Sequence, residues 1–260
     1  MPNKPQHRRS FLKNASTAAA LGLALPRMAA ATPQALGRDP VTSKTVLCIG
    51  AHPDDPESGC GGTLLLHRQQ GDQVHVLYLT KGEAGIPGLS HAKAAAIREQ
   101  EARNACQLMG ATPHFAGQTD GDTRVDREAI SHMRELIAEI HPDLVYTHWP
   151  VDTHPDHQVC SLLVFQSWLG LGRTFPVWYF EVNSGYQTQQ FQPELYISIN
   201  EVADKKKQVL YCHKSQNPDD IYFHHHLIMQ QYRGREIGGG QAEAFIRLDS
   251  KALPVKTSMP

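Results

Sequence analysis

Two short stretches concentrate the residues able to do chemistry: "AHPDDPE" at Ala51 to Glu57 and "DTHPDH" at Asp152 to His157. The first offers the imidazole of His52 and the carboxylates of Asp54 and Asp55 on a chain stiffened by Pro53. The second offers His154 and His157 around Pro155 and Asp156. Imidazole and carboxylate without thiolate is a donor set for zinc or a similar divalent ion. Three protein ligands leave one position open to water, which is the pattern of a catalytic site and not of a structural one. Adjacent side chains diverge, so only one of Asp54 and Asp55 points with His52 at a common ion. Glu57 has a plainer role, because Pro56 and Glu57 suit the first turn of a helix starting at Asp54 or Asp55. The chain contains a control: "EIHPDLVY" carries His141-Pro142-Asp143 before its apolar run and predicts a turn between helix and strand. The triplet His224-His225-His226 reads as mostly solvated surface, since consecutive helical residues face different directions.

The elements that must position these clusters are legible as an alternation. "TVLCIG" (Thr45 to Gly50), "VHVLYLT" (Val74 to Thr80) and "DLVYTH" (Asp143 to His148) are rich in β-branched and aromatic residues and suit strands buried on both faces. Between them, Ile130, Met133, Ile137 and Ile140 recur at helical spacing, and "AAAIREQEARNACQLMG" ends on the glycine that often stops a helix. The pattern predicts an α/β fold, a Rossmann-like, mostly parallel sheet with helices on both faces, in a single domain. Both clusters then follow the carboxyl ends of strands, where open α/β sheets bind their ligands. Further strands are predicted at Val177 to Phe180 and Leu195 to Ile199, helix over 201–233, and a short terminal element at Ala242 to Asp249.

Residues 1–31 stand apart. A basic start with Arg8 and Arg9, the run "SFLK", a short apolar stretch and Ala29-Ala30-Ala31 predict a twin-arginine export signal cut after Ala31, hence a periplasmic or extracellular protein. The apolar stretch is shorter than the ~20 residues of a membrane span, and no later run approaches that length. Residues 32–43 read as a linker, 44–250 as the catalytic domain and 251–260 as a tail. The signal holds five basic residues and no acid, so its removal takes the 25 basic residues to 20 against 26 acidic ones, a net charge of −6. That balance argues against a nucleic-acid partner. Five scattered cysteines fit neither a disulfide framework nor a thiolate metal site; they predict buried free thiols, with Cys60 and Cys160 on the pocket floor.

The two clusters resemble the signature motifs of the LmbE/PIG-L family of zinc-dependent N-deacetylases. "TKGEAG", "REQEARNACQLMG", "HKSQ" and "RGREIGGGQAEAF" resemble further segments of its GlcNAc-malate and GlcNAc-inositol deacetylases. The resemblance implies one Zn2+ per chain, or another divalent ion, held by His52, Asp55 and His157. It implies Asp54 as general base, His154 as the group that stabilises or protonates the tetrahedral intermediate, and Asp156 as the residue orienting that histidine. It implies Arg98 and Asp120 as contacts to an amino-sugar substrate; the competing readings are a surface pair of Arg98 with Glu101, and a turn held by Asp120. His148 is either a support of the centre or a packed core histidine. Trimers or hexamers would fit the family. The rival functions are an amidase on a larger acyl or thiol conjugate, a metal-dependent phosphoesterase and a non-catalytic sugar-binding protein.

Overall fold

The β-branched runs form strands and the amphipathic runs form helices in strict alternation through the first two thirds of the computed structural model, which describes residues 43–248. In chain order these are β1 (Thr45–Gly50), α1 (Asp55–Gln69), β2 (Gln73–Tyr78), α2 (His91–Met109), β3 (Thr112–Phe115), α3 (Arg127–Ile140), β4 (Leu144–His148), α4 (Pro155–Gly170) and β5 (Val177–Phe180). Then follow β6 (Leu195–Ser198), α5 (Ala203–Leu210), a 3₁₀ turn at Lys214–Gln216, α6 (Pro218–Ile221), a π-helical turn at Tyr222–His226, α7 (Leu227–Glu236) and β7 (Ala242–Leu248). The expected signal, almost all of the linker and the tail lie outside the described residues. Among the described residues, no helix is long and apolar enough to cross a membrane.

One seven-stranded sheet runs β3-β2-β1-β4-β5-β7-β6. Its first five strands are parallel, and β7 is antiparallel to both β5 and β6. Alternate residues of each strand serve different faces. Val46, Cys48, Val76 and Tyr78 pack with Leu64, Ala102, Cys106 and Val209 from α1, α2 and α5. Leu47, Ile49, Leu77 and Val145 pack with Met133, Ile137, Leu163 and Trp168 from α3 and α4. The single mixed α/β domain expected from the alternation is thus present, with helices on both faces.

Three details depart from expectation. Strand β3 was not foreseen, because "TPHF" is short, half-buried and contains Pro113. The segment 201–233 is not one helix but several, separated at Cys212–His213 and at Asn217, whose φ of 51° suits a break. The terminal element is a strand that enters the sheet between β5 and β6. His141 behaves as predicted: it ends α3 in the left-handed conformation, and the Asp143 carboxylate accepts the Thr45 N–H at 2.8 Å. All five cysteines are free.

The strand order reverses between β1 and β4, which creates a crevice at their carboxyl ends. Helix α1 reaches into it by close approach. A Cβ on Gly59 would lie 2.3 Å from the Phe180 ring and 2.7 Å from the Glu181 carbonyl, so only glycine lets the first turns of α1 sit against the end of β5.

Candidate metal centre and active site

The chain leaves β1 through Ala51, His52, Pro53 and Asp54 before α1 begins. Asp54 has φ 106° and ψ −26°, a backbone that disfavours any side chain and costs on the order of 1–3 kcal/mol. Arg98 of α2 fastens this turn. Its Nη2 donates to the Pro53 carbonyl at 2.6 Å and to Asp54 Oδ2 at 3.2 Å, and its Nη1 donates to the Gly82 carbonyl at 3.2 Å. The turn brings His52 and Asp55 together: the His52 N–H donates to Asp55 Oδ2 at 2.8 Å, and His52 Nδ1 stands 3.1 Å from the same oxygen. From α4, His157 Nε2 stands 3.3 Å from that oxygen, with its ring centre 5.4 Å from that of His52.

His52 and His157 therefore both approach the Asp55 carboxylate from two loops about a hundred residues apart, and among the described residues the donors close enough to share an ion form three overlapping groups: His52, His154 and His157; Asp55, His148 and His157; and His52, Asp120 and Asp156. The donor chemistry fits a divalent cation. Burial works to lower the pKa of His52, yet Asp120, Asp156 and Asp55 outweigh it and raise it well above 6.5, so the surroundings favour positive charge at this ring. His148 stands beside Asp55 and His157. Its Nε2 is 3.3 Å from Asp55 Oδ2 but accepts the Ala51 N–H at 3.0 Å, which engages its lone pair. Burial drives it down to about 4 and keeps it neutral.

Around this point lie the groups able to move protons. Burial raises the pKa of Asp54, with Arg98 opposing. His154 caps α4: its Nδ1 accepts the Asp156 N–H at 3.3 Å, which leaves Nε2 as its N–H donor. Burial and then the nearby His52 and His157 lower its pKa, which favours the neutral ring. A cavity of about 550 Å³ opens over these residues and is lined by His52, Asp54, Asp55, Arg98, Asp120 and His154 among others. Neither Cys60 nor Cys160 lines it; both point into the cores beneath.

Comparison with known proteins places this geometry. Residues 47–168 match the family model described as PIG-L: GlcNAc-PI de-N-acetylase. The Escherichia coli K12 protein called uncharacterized deacetylase YaiS is 33% identical over 172 residues, covering 61% of this chain and 83% of that protein. The chain belongs to the PIG-L family. A 4-oxalmesaconate hydratase of Pseudomonas putida is 26% identical over 188 residues, covering 65% of this chain and 72% of that protein. Among solved structures, the N,N'-diacetylchitobiose deacetylase of Pyrococcus horikoshii superposes with a TM-score of 0.70 at 25% identity, covering 80% of this chain and 84% of that one. As a PIG-L deacetylase the chain is an enzyme, a hydrolase acting on amides.

Several side chains sit differently from one or other of the readings the sequence offered. Arg98 does not pair with Glu101, whose carboxylate instead accepts from Ser215; Arg98 lines the cavity with Nη2 on the Asp54 turn, Nη1 on the Gly82 carbonyl and its buried Nε without a hydrogen-bond partner among the described residues. The Asp156 carboxylate does not hold His154. It is turned to His52 Nε2 at 3.1 Å and accepts from Gly121 N and Thr123 Oγ1, because those donors lie on the loop after β3 that closes over α4. Asp120 lies in the same loop, accepts the Ala84 N–H at 3.0 Å and stands 3.3 Å from His52 Nε2. Two carboxylates therefore face the outer nitrogen of His52, the kind of outer partner that fixes a ligating ring.

Three groups escaped the motif reading. Asp152 stands 3.1 Å from His157 Nδ1 and accepts the His154 N–H; its place at the head of "DTHPDH" was the available signal. Glu57 is fully buried, accepts from the Tyr78 hydroxyl and lies 3.2 Å from His213, so it does more than favour a helix end. The histidine triplet is not simply surface. His224 is exposed beside Asp220, but His225 lines the cavity and His226 is buried with Nε2 on Ser58 Oγ at 3.1 Å. The wider π-helical turn brings the last two to the same side.

Proposed function

We propose that this chain removes the N-acetyl group from an N-acetylglucosamine-type sugar or glycoconjugate, with one zinc ion held by His52, Asp55 and His157. The observation that supports the reading is the approach of His52 and His157 to one buried Asp55 oxygen, beside the Asp54 carboxylate and the His154 ring, in the wall of a sugar-sized cavity. Zinc held there supplies Lewis acidity, lowering the pKa of water to about 7 and polarising a carbonyl. Asp54, made more basic by burial, takes the proton from the attacking water. His154 Nε2–H donates to the amide oxygen as negative charge develops on it. The proton gathered by Asp54 is then available to the departing amine. Asp120 and Asp156 face the outer nitrogen of His52, and Asp152 stands beside that of His157. The twin arginines Arg8 and Arg9 support export, which would put the substrate among envelope glycans.

Acetate release from N-acetylglucosamine and its oligomers, by the full chain stripped of metal and reloaded with zinc, tests this reading. Asp54→Ala is expected to bind zinc one to one and to lower kcat by roughly 10²–10⁴-fold. Retained acetate release in that variant overturns the role of Asp54, and no acetate from any sugar while an unsaturated organic acid is hydrated overturns the whole reading in favour of the chemistry named for the Pseudomonas putida relative.

A further inference from the structure

The cavity has an outer half that none of the proposed chemistry uses. It is built by the segment after β5, with Ser184, Tyr186 and Gln187, and by the helical segment that carries Gln216, Asp220 and His225. Hydroxyl, amide and ring are the groups that grip a pyranose, whose rim donates and accepts hydrogen bonds while its face is apolar. Tyr186 is 63% exposed at the mouth, and its ring meets that of His225 edge-on with centres 5.7 Å apart. The two rings form an open corner, a large apolar surface left in water where a ligand would cover it.

The charge of this half is equally informative. Among the described residues lining the cavity, Arg98 is the one arginine or lysine, and its side chain is 5% exposed and bonded to the Asp54 turn. Four carboxylates line the same cavity: Asp54, Asp55, Asp120 and Asp220. Asp220 stands at the mouth, half exposed, with His224 Nδ1 2.7 Å away. A carboxylate or phosphate on the substrate's second group would meet Asp220 and find no guanidinium or ammonium to pair with, a mismatch that penalises binding and encounter alike.

We propose that the outer half is a subsite for a second, uncharged sugar ring seated on Tyr186 and His225, so that the enzyme selects neutral N-acetylated di- or oligosaccharides over sugars joined to an acid. The proposal rests on the deacetylase reading of the inner half, and binding separates the two. The zinc-loaded full chain carrying Asp54→Asn is titrated calorimetrically with N-acetylglucosamine, N,N'-diacetylchitobiose and an N-acetylglucosaminyl disaccharide whose second ring is glucuronic acid. The neutral disaccharide is expected to bind about ten-fold more tightly than either of the others. Adding Tyr186→Ala weakens the neutral disaccharide several-fold more than the monosaccharide, and adding Asp220→Lys shifts the ratio of acidic to neutral binding by about ten-fold toward the acidic one. Equal or tighter binding of the acidic disaccharide, or equal weakening of mono- and disaccharide by Tyr186→Ala, overturns the subsite. Acetate release by the wild-type chain is scored separately, so that a failed deacetylase reading leaves the binding result intact.

Discussion

Asp54 concentrates two costs, a left-handed backbone and a half-buried carboxyl group whose pKa burial raises. The backbone cost can be isolated by comparing two variants that both lack the carboxylate. Asp54→Gly should be more stable than Asp54→Ala by about 1 kcal/mol in urea unfolding, because only glycine adopts this φ without strain. Equal midpoints would mean that the turn relaxes when the carboxylate is gone and that Arg98 was holding the side chain, not the backbone. His226 supplies a second test. Burial pushes it down to about 3, so it is neutral in the fold, whereas the unfolded chain takes a proton near 6.5. Protons are then bound more by the unfolded state between those values, and stability present above pH 6.5 is lost as pH falls toward 3. From pH 7 to pH 5 the loss is about 2 kcal/mol for this group. His226→Gln should lose correspondingly less over the same interval, measured by urea midpoints in the presence of a chelator.

At the scale of elements, the site depends on where helices begin. Helices α1 and α4 both start at the carboxyl ends of neighbouring parallel strands, and both start with a proline in the first turn. Much of this was legible: β1, β2, β4 and β5 are continuous apolar runs, and each cluster follows one of them directly. What was not legible depended on partners distant in sequence. The Asp156 carboxylate faces His52 and not its neighbour His154 because the loop holding Gly121 and Thr123 supplies donors from outside. His226 was masked by ordinary helical spacing, which a π-helical turn does not keep. The first turns of α1 are also fastened by side chains no motif marks. Buried Lys206 of α5 donates to the Ser58 carbonyl and pairs with Glu243 of β7, whose carboxylate accepts the Gly62 and Thr63 N–H groups at 2.7 Å each. Such a pair is strongly destabilising to break on one side.

For the whole molecule, the sheet's composition was easier to foresee than its order. Alternation dictates parallel neighbours for β1 to β5, but nothing local in "AEAFIRL" says that this strand enters between two others, and only its pairings reveal it. That placement governs the timetable of assembly. As a ribosome delivers the polypeptide, β5 and β6 emerge with bare edges and Lys206 emerges without its acid; both needs are met only when residues 242–248 arrive. A chain stopped at Gly240 should stay open to protease throughout the α1, α5 and β5 region, whereas one extended to Leu248 should resist. Digestion of stalled nascent chains of the two lengths would reveal whether completion waits for that last inserted strand.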